Sequence, residues 1–173
     1  MFRIMFVYGA IAGVVIISVM ILAMVMSGGS GSQAQGYLTM VVVLSLIFVG
    51  VKRYRDKDLG GVIKFVPAFG LGVGIAAVAG VFYVVSWEAS LHLTDFAFVE
   101  SYKESMIANY EAKGLTGAAL AEKVTSLEAM MSNYSNPAYR MPITFLEIFP
   151  VGLVVALLSA ALLRNPKVFP AKV

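Results

Sequence analysis

The chain has 173 residues, of which 60% are hydrophobic and 13% are charged, and its formal net charge is +3. Soluble domains carry about 25% charged residues, so this composition excludes an ordinary water-soluble domain and predicts a membrane protein. The chain contains no cysteine, which excludes structural disulfides and thiol chemistry. Its length allows one compact bundle with one modest extramembrane element.

Four apolar runs are long enough to cross a bilayer. About 20 apolar residues are needed, because a helix rises about 1.5 Å per residue and the hydrocarbon is about 30 Å thick. The first run is too long for the apolar region of a signal peptide, and the Gly and Ser residues at 27–32 end it. The predicted membrane spans are residues 4–26, 33–51, 65–87 and 141–163.

The loops between these spans differ in charge. Residues 52–64 carry five basic and two acidic side chains, whereas residues 88–140 carry four basic and seven acidic ones. Short cytoplasmic loops are enriched in Lys and Arg. We therefore expect both termini and the 52–64 loop in the cytoplasm, and residues 88–140 on the opposite side.

Residues 88–140 form the one long insertion in the predicted single membrane domain, 1–173. Apolar residues recur there at helical spacing in two stripes, which predict two amphipathic helices. Lys113-Gly114 is predicted to end the first helix, Thr116 to cap the second, and Asn136-Pro137 to precede the last span. The predicted fold is all-α, with four transmembrane helices and an extracytoplasmic helical hairpin between the third and fourth. The stripes are Val99, Tyr102, Met106 and Tyr110, then Leu120, Val124, Leu127, Met131 and Tyr134.

The hairpin has two possible roles. Its stripes can pack against each other as a lid over the bundle, or they can dock a partner. The sequence does not distinguish these roles.

Three residues form a candidate polar site. Glu147 lies inside the fourth span, where a charged side chain is costly and is expected to be protonated, paired or in contact with water. Glu88 and His92 are four residues apart on one helical face near the same end. The three residues make either a proton relay or cation site, or a purely structural set. Two carboxylates and one His lack the spacing of a zinc site, and we expect no cofactor and no metal.

Small residues predict close helix packing. The third span contains Gly70 and Gly74, and the first contains Gly9 and Gly13, each pair at the small-xxx-small spacing that lets helix backbones approach. A phosphate cannot reach glycines inside a membrane span, so a dinucleotide-binding loop is excluded.

The basic loop is expected to lie at the membrane surface. Its Lys and Arg side chains either anchor the topology through anionic lipid headgroups or form a specific lipid or regulatory site. The candidate headgroup contacts are Lys52, Arg53, Arg55, Lys57 and Lys64.

Three segments of the sequence carry a family resemblance. They are Tyr8-Gly9 with Gly13, the loop Tyr54-Arg55-Asp56-Lys57 with Leu59-Gly60-Gly61, and residues 145–152, Phe-Leu-Glu-Ile-Phe-Pro-Val-Gly. On these segments the chain resembles a bacterial domain-of-unknown-function family, number four-one-nine-nine, of small four-span inner-membrane proteins. The resemblance covers nearly the whole chain and implies no catalytic residue.

We therefore expect a non-enzymatic integral membrane protein that is an accessory or structural subunit of a larger inner-membrane complex. One alternative is a homo-oligomeric transporter or channel that uses Glu147 as a coupling acid. A second alternative is a lipid-modifying membrane enzyme, for which Glu147 and His92 are the starting residues. The expected partners are the bilayer and either another membrane protein or further copies of this chain, and no nucleic acid.

Overall fold

The computed structural model describes residues 1–26 and 33–171, and the predicted break at 27–32 lies outside the described residues. Within the described ranges all regular structure is helical. The helices are α1 Phe2–Met26, α2 Gln33–Leu44, α3 Leu46–Asp58, α4 Phe65–Leu93, α5 Ala97–Ala112, α6 Gly117–Tyr134 and α7 Pro137–Leu163.

Four helical stretches are long and apolar enough to cross a membrane. Helices α1, α4 and α7 provide three of them, and α2 with α3 provides the fourth, over Ala34–Asp58. Ser45 separates α2 from α3, but its N–H still donates to Val41 O at 3.1 Å, so the two helices continue each other. The predicted fold class, all-α with four candidate membrane-spanning helices, is confirmed.

Helix α4 lies at the centre of the bundle, between α1 and α7. It runs parallel to α1, because Gly9 lies against Val78 and Gly13 lies against Phe82, further along both helices. It runs antiparallel to α7, because Gly72 lies against Ala156 whereas Glu88 pairs with Arg140. The buried apolar core includes side chains of every span, among them Ile16, Ile47, Ile75, Ala79 and Ile148.

The contact between α1 and α4 depends on two of the four predicted glycines. A methyl group at Gly9 would lie 2.6 Å from Val78 Cβ, and one at Gly13 would lie 2.7 Å from Phe82 Cβ. Real Cβ atoms do not approach that closely, so both positions require glycine or a shift of the helices. Gly9 and Gly13 thus lie where the backbones of α1 and α4 approach closely.

The two glycines predicted on α4 differ. A methyl group at Gly74 would lie 2.7 Å from Met5 Sδ, at the end of a flexible side chain. At Gly70 a methyl group would meet no atom within 4 Å, so the prediction that Gly70 packs against another helix is wrong. Successive residues of a helix are rotated by about 100°, so Gly70 and Gly72 lie on nearly opposite sides of α4. Gly70 lies on the side that faces away from the bundle.

The contact between α4 and α7 uses small residues that the sequence analysis did not select. A methyl group at Gly72 would lie 2.8 Å from Ala156 Cβ, and one at Gly152 would lie 2.7 Å from Ala76 Cβ. Each of the two helices thus places one glycine against an alanine of the other helix. This arrangement brings the two backbones close together along the middle of the span.

Helices α5 and α6 lie side by side. Every residue of the two predicted stripes is at least half-buried, and Leu127 is 3% exposed. Lys103 of α5 pairs with Glu128 of α6 at 3.4 Å between Nζ and Oε1. A left-handed turn at Gly114, φ +82°, separates the helices. The stripes are therefore partly covered within the chain, and Tyr134 of the second stripe lies against Trp87 of α4, as the packing role requires.

The bundle has two distinct ends. At one end the C-terminal tail packs against α3, where the rings of Phe48 and Phe169 are 5.4 Å apart. Arg3 and Arg53 line one groove at that same end, so α1 begins beside the basic loop. The α5–α6 pair joins the bundle at the opposite end, where the ring of Phe98 lies 4.9 Å from that of Trp87. We call these the basic end and the hairpin end.

Candidate functional site

A buried ion pair joins α4 to α7 at the hairpin end. Arg140 Nε donates to Glu88 Oε1 at 2.7 Å, and Arg140 Nη2 donates to Glu88 Oε2 at 2.6 Å. Arg140 is 0% exposed and Glu88 8% exposed. Two parallel hydrogen bonds between a guanidinium and a carboxylate are the strongest geometry for such a pair. Glu88 is therefore committed to a structural contact within the chain.

The remaining surface of Arg140 is also occupied. Its Nη1 donates to the carbonyl oxygens of Tyr134 at 2.8 Å and Ser135 at 3.2 Å, so it binds the end of α6. Its guanidinium carbon lies 5.2 Å from the centre of the Phe96 ring, within the range of a cation–π contact. One side chain thus connects α4, α6, α7 and the start of α5.

The sequence analysis did not select Arg140. The available signal was that an acid and a base flank the third and fourth spans at the same predicted end, Glu88 and Arg140. Asn136 helps to place Arg140 beside Glu88. Its side-chain oxygen accepts a hydrogen bond from the Ala138 N–H at 3.0 Å and so caps α7. The cap, with Pro137 as the first helical residue, fixes where α7 begins and so the direction of Arg140.

Trp87 and Tyr134 extend this contact. Trp87 Nε1 donates to Tyr134 Oη at 2.8 Å. Burial raises the pKa of the Tyr134 phenol, so this hydroxyl stays protonated at ordinary pH. The pair holds the end of α6 against α4.

His92 makes no hydrogen bond to Glu88 or Arg140 within the described residues, but it lies next to them, because Arg140 also contacts Phe96. Its side chain is exposed, and its ring lies 5.2 Å from the ring of Phe96 in an edge-to-face contact. Among the described residues, no group of three His, Cys, Asp or Glu side chains is placed to hold a metal ion.

Glu147 lies about ten residues into α7 and is exposed on the outside of the bundle. Tyr83 Oη, which is buried, donates to Glu147 Oε2 at 3.4 Å, a long hydrogen bond. The same hydroxyl lies 3.5 Å from Met20 Sδ, so it reaches both α1 and α7. The predicted polar set is thus divided, with Glu88 bound to Arg140, His92 beside Phe96 and Glu147 beside Tyr83.

The basic loop is divided in a similar way. Arg53, Lys57 and Lys64 are exposed and Lys52 is half-buried, so these side chains have surface available for a lipid headgroup. Arg55 is 0% exposed, and the prediction that it contacts lipid headgroups is wrong.

Arg55 instead holds the C-terminal tail. Its Nη1 donates to Val168 O at 2.9 Å, its Nη2 donates to Phe169 O, and its Nε donates to Asp56 Oδ1 at 2.7 Å. The carbonyl of Leu163, the last residue of α7, lies 3.5 Å from Nη1.

These features define the class of the protein, an all-helical multi-pass membrane protein with an ion-paired hairpin end. The family model described as "Protein of unknown function (DUF4199)" matches residues 7–165, and the chain belongs to that family. No curated protein and no solved structure matches the chain.

Proposed function

We propose that this protein is a non-enzymatic accessory or structural subunit of a larger complex in the bacterial inner membrane, and that it binds its partner through the face of α7 around Glu147. One observation carries the proposal: an acidic residue, Glu147, is exposed on the outside of the bundle, well inside a membrane span. Glu147 lies about 15 Å along the helix axis from Pro137, at about 1.5 Å per residue.

Exposure to lipid is costly for this group. An acidic side chain at the centre of a membrane helix costs about 2.5–3.5 kcal/mol, and such groups usually face other protein or water. The hydrogen bond from Tyr83 is long, at 3.4 Å, and Glu147 Oε1 accepts no hydrogen bond from the described residues. A partner helix that offers a hydroxyl, amide or basic side chain would satisfy it.

The surroundings of Glu147 fit a helical partner. Ile143 lies four residues before Glu147 and is 42% exposed, and Val154 lies seven residues after Glu147 and is 56% exposed. Both lie on the same face of α7. Leu146 and Leu157 extend this apolar strip, and Pro150 lies one turn from Glu147. An apolar strip with one polar group along its edge gives a partner both contact area and register.

The charge distribution supports the proposed orientation. The N-terminus, the basic loop and the C-terminal tail share one end of the bundle, and basic loops favour the cytoplasmic side. Both termini are accordingly proposed to be cytoplasmic, with the α5–α6 pair outside.

The packing of α1, α4 and α7 also supports a subunit role over an autonomous pathway. Glycine and alanine bring α4 into direct contact with α1 on one side and with α7 on the other, so close packing and not a passage occupies these two contacts. A transporter would need further copies of the chain. A lipid-modifying enzyme would need Glu147 and His92 together, and each of them has a different neighbour in this structure.

Photo-crosslinking in native membranes tests the proposal. A photoreactive residue at Val154 should capture a membrane protein in fixed ratio, and one at Leu38, an exposed residue of α2, should not. Glu147→Gln should reduce recovery of that partner, whereas Glu104→Gln, at an exposed acid of α5, should not.

Capture of nothing at Val154 would overturn the proposal. Capture of a second copy of the chain would favour the homo-oligomeric transporter instead. Proton or cation flux with and without Glu147→Gln would then test Glu147 as a coupling acid.

A further inference from the structure

A groove at the basic end of the bundle lies between the start of α1 and the end of α3. Its volume is about 530 Å³. At the end of the bundle it is lined by three basic residues and one acidic residue, Arg3, Arg53, Lys57 and Asp58. Further along α1 it is lined by the apolar side chains of Ile4, Val7 and Ile11. The groove is therefore charged at one end and apolar at the other.

Positive charge is in excess in the groove, with three basic side chains against one acidic side chain. Arg53 and Lys57 are four residues apart on one face of α3, a spacing at which like charges destabilise a helix. Their neighbours on the same helix are paired differently: Lys52 and Arg55 both bind Asp56. No ion pair of Arg3, Arg53 or Lys57 occurs within the described residues, 1–26 and 33–171. An anion between these three groups would remove their repulsion.

The apolar wall continues in the direction of the membrane. Ile4, Val7 and Ile11 follow one another at spacings of three and four, so they form one strip along α1 of about 10 Å at 1.5 Å per residue. Val7 and Ile11 are 42% and 49% exposed. A soluble phosphate would use only the basic part of this groove. A phospholipid would use both parts, with its phosphate at the bases and an acyl chain along the strip.

We propose that the groove between α1 and α3 is a binding site for one anionic phospholipid of the leaflet at the basic end. Arg3, Arg53 and Lys57 bind the headgroup phosphate, and the strip of Ile4, Val7 and Ile11 holds the upper part of one acyl chain. Basic pockets between membrane helices commonly hold such headgroups. The site is at the opposite end of the bundle from the α5–α6 pair and does not depend on the partner face around Glu147.

Native mass spectrometry of the full chain in detergent micelles tests the site, with phosphatidylglycerol and phosphatidylcholine as probes. The wild type should bind one phosphatidylglycerol in preference to phosphatidylcholine. Arg53→Gln with Lys57→Gln should weaken phosphatidylglycerol binding by about 30-fold, because two basic contacts are lost. The matched control is Arg164→Gln with Lys167→Gln, which removes the same charge from exposed positions at the same end.

A second arm tests the acyl contact. Ile11→Trp adds bulk to the strip on an exposed position of α1, so the variant should fold, lose phosphatidylglycerol and keep its charges. Glycerol phosphate, which has no acyl chain, should not compete with the lipid at equal concentration. Equal weakening by the two double variants would overturn the proposal, since only overall charge would matter. Equal binding of glycerol phosphate, or unchanged binding in Ile11→Trp, would also overturn it.

Discussion

Two arginine side chains are completely buried, one at each end of the bundle, and their charges are compensated differently. Arg140 at the hairpin end is held by the carboxylate of Glu88 through two parallel hydrogen bonds. Arg55 at the basic end is held mainly by backbone carbonyls of the C-terminal tail, with one hydrogen bond to Asp56. Asp56 is shared with Lys52, so it does not neutralise Arg55 alone.

This difference separates the roles of the two ends. At the hairpin end acid and base cancel, and the ion pair locks four helices together without leaving a free charge. At the basic end the carbonyls orient Arg55 but cancel no charge, and the exposed bases around it remain available to anions. The ion pair at the hairpin end suits a rigid contact between helices. The excess of basic side chains at the basic end suits a membrane surface that contains anionic lipid.

The largest expected effect is at the hairpin end. Arg140→Met leaves Glu88 buried without its partner, which typically costs about 3–5 kcal/mol. We expect the free energy of unfolding in lipid bicelles to fall by that amount.

The matched control for Arg140→Met removes both charges. In Arg140→Met with Glu88→Met no carboxylate is left unpaired, so the double variant should be more stable than the single variant. A double variant as unstable as the single one would show that the cost does not come from Glu88.

The corresponding change at the basic end should be smaller and local. Arg55→Met removes hydrogen bonds from a charged donor, which are worth about 1.5–3 kcal/mol. Since its acceptors lie in the tail, amide hydrogen exchange of residues 165–171 should rise while the spans stay protected. Arg53→Met, at an exposed position on the same helix, is the control. A tail that stays protected in Arg55→Met would contradict the contact.

The middle of the bundle contains neither buried arginine, so a substitution there tests helix packing without changing the charges at the two ends. Gly13→Ala forces α1 away from α4 and should cost about 1–3 kcal/mol as overpacking. Gly70→Ala meets no atom within 4 Å and should leave thermal stability in detergent unchanged. Equal melting temperatures for the two variants would refute the close contact. If the middle of the bundle and the basic end are independent, the costs of Gly13→Ala and Arg55→Met should add.

The smallest expected effect concerns one hydrogen bond at the hairpin end. Tyr134→Phe removes the acceptor of the Trp87 N–H and should cost about 0.5–1.5 kcal/mol. Tyr139→Phe, at a tyrosine that is 43% exposed, should cost nothing measurable. The indole fluorescence maximum should shift in Tyr134→Phe alone. Identical spectra of both variants and the wild type would argue against the bond.

Much of the fold could be predicted from local signals. The apolar runs identified the four spans because only a helix satisfies its own backbone inside lipid. The stripes of α5 and α6 were visible because those helices have a polar and an apolar side. The ends of the helices were less exact, since α4 continues to Leu93 and α7 begins at Pro137, beyond the predicted spans. Polar residues near a membrane surface extend a helix without extending its apolar run.

The candidate site was predicted less well. Glu88 and His92 were grouped with Glu147 because all three are near the same end of the bundle. Position along a helix, however, does not specify which side of the helix a residue occupies. The missing partner was Arg140, which lies 52 residues from Glu88, at the opposite end of the insertion. Arg55 could not be told from its exposed neighbours by charge alone, since its environment is made by backbone carbonyls of residues 163–169.

The sequence by itself determined that the chain is a helical membrane protein, how many spans it has and which segment lies outside them, because hydropathy and helix length are properties of consecutive residues. Only the tertiary structure decided which faces meet. Helix α4 is apolar on all sides, so its pattern cannot show that Gly72 faces α7 while Gly70 faces outward. That choice follows from the packing of small residues and from the pairing of buried charges, which bring together residues far apart in the chain.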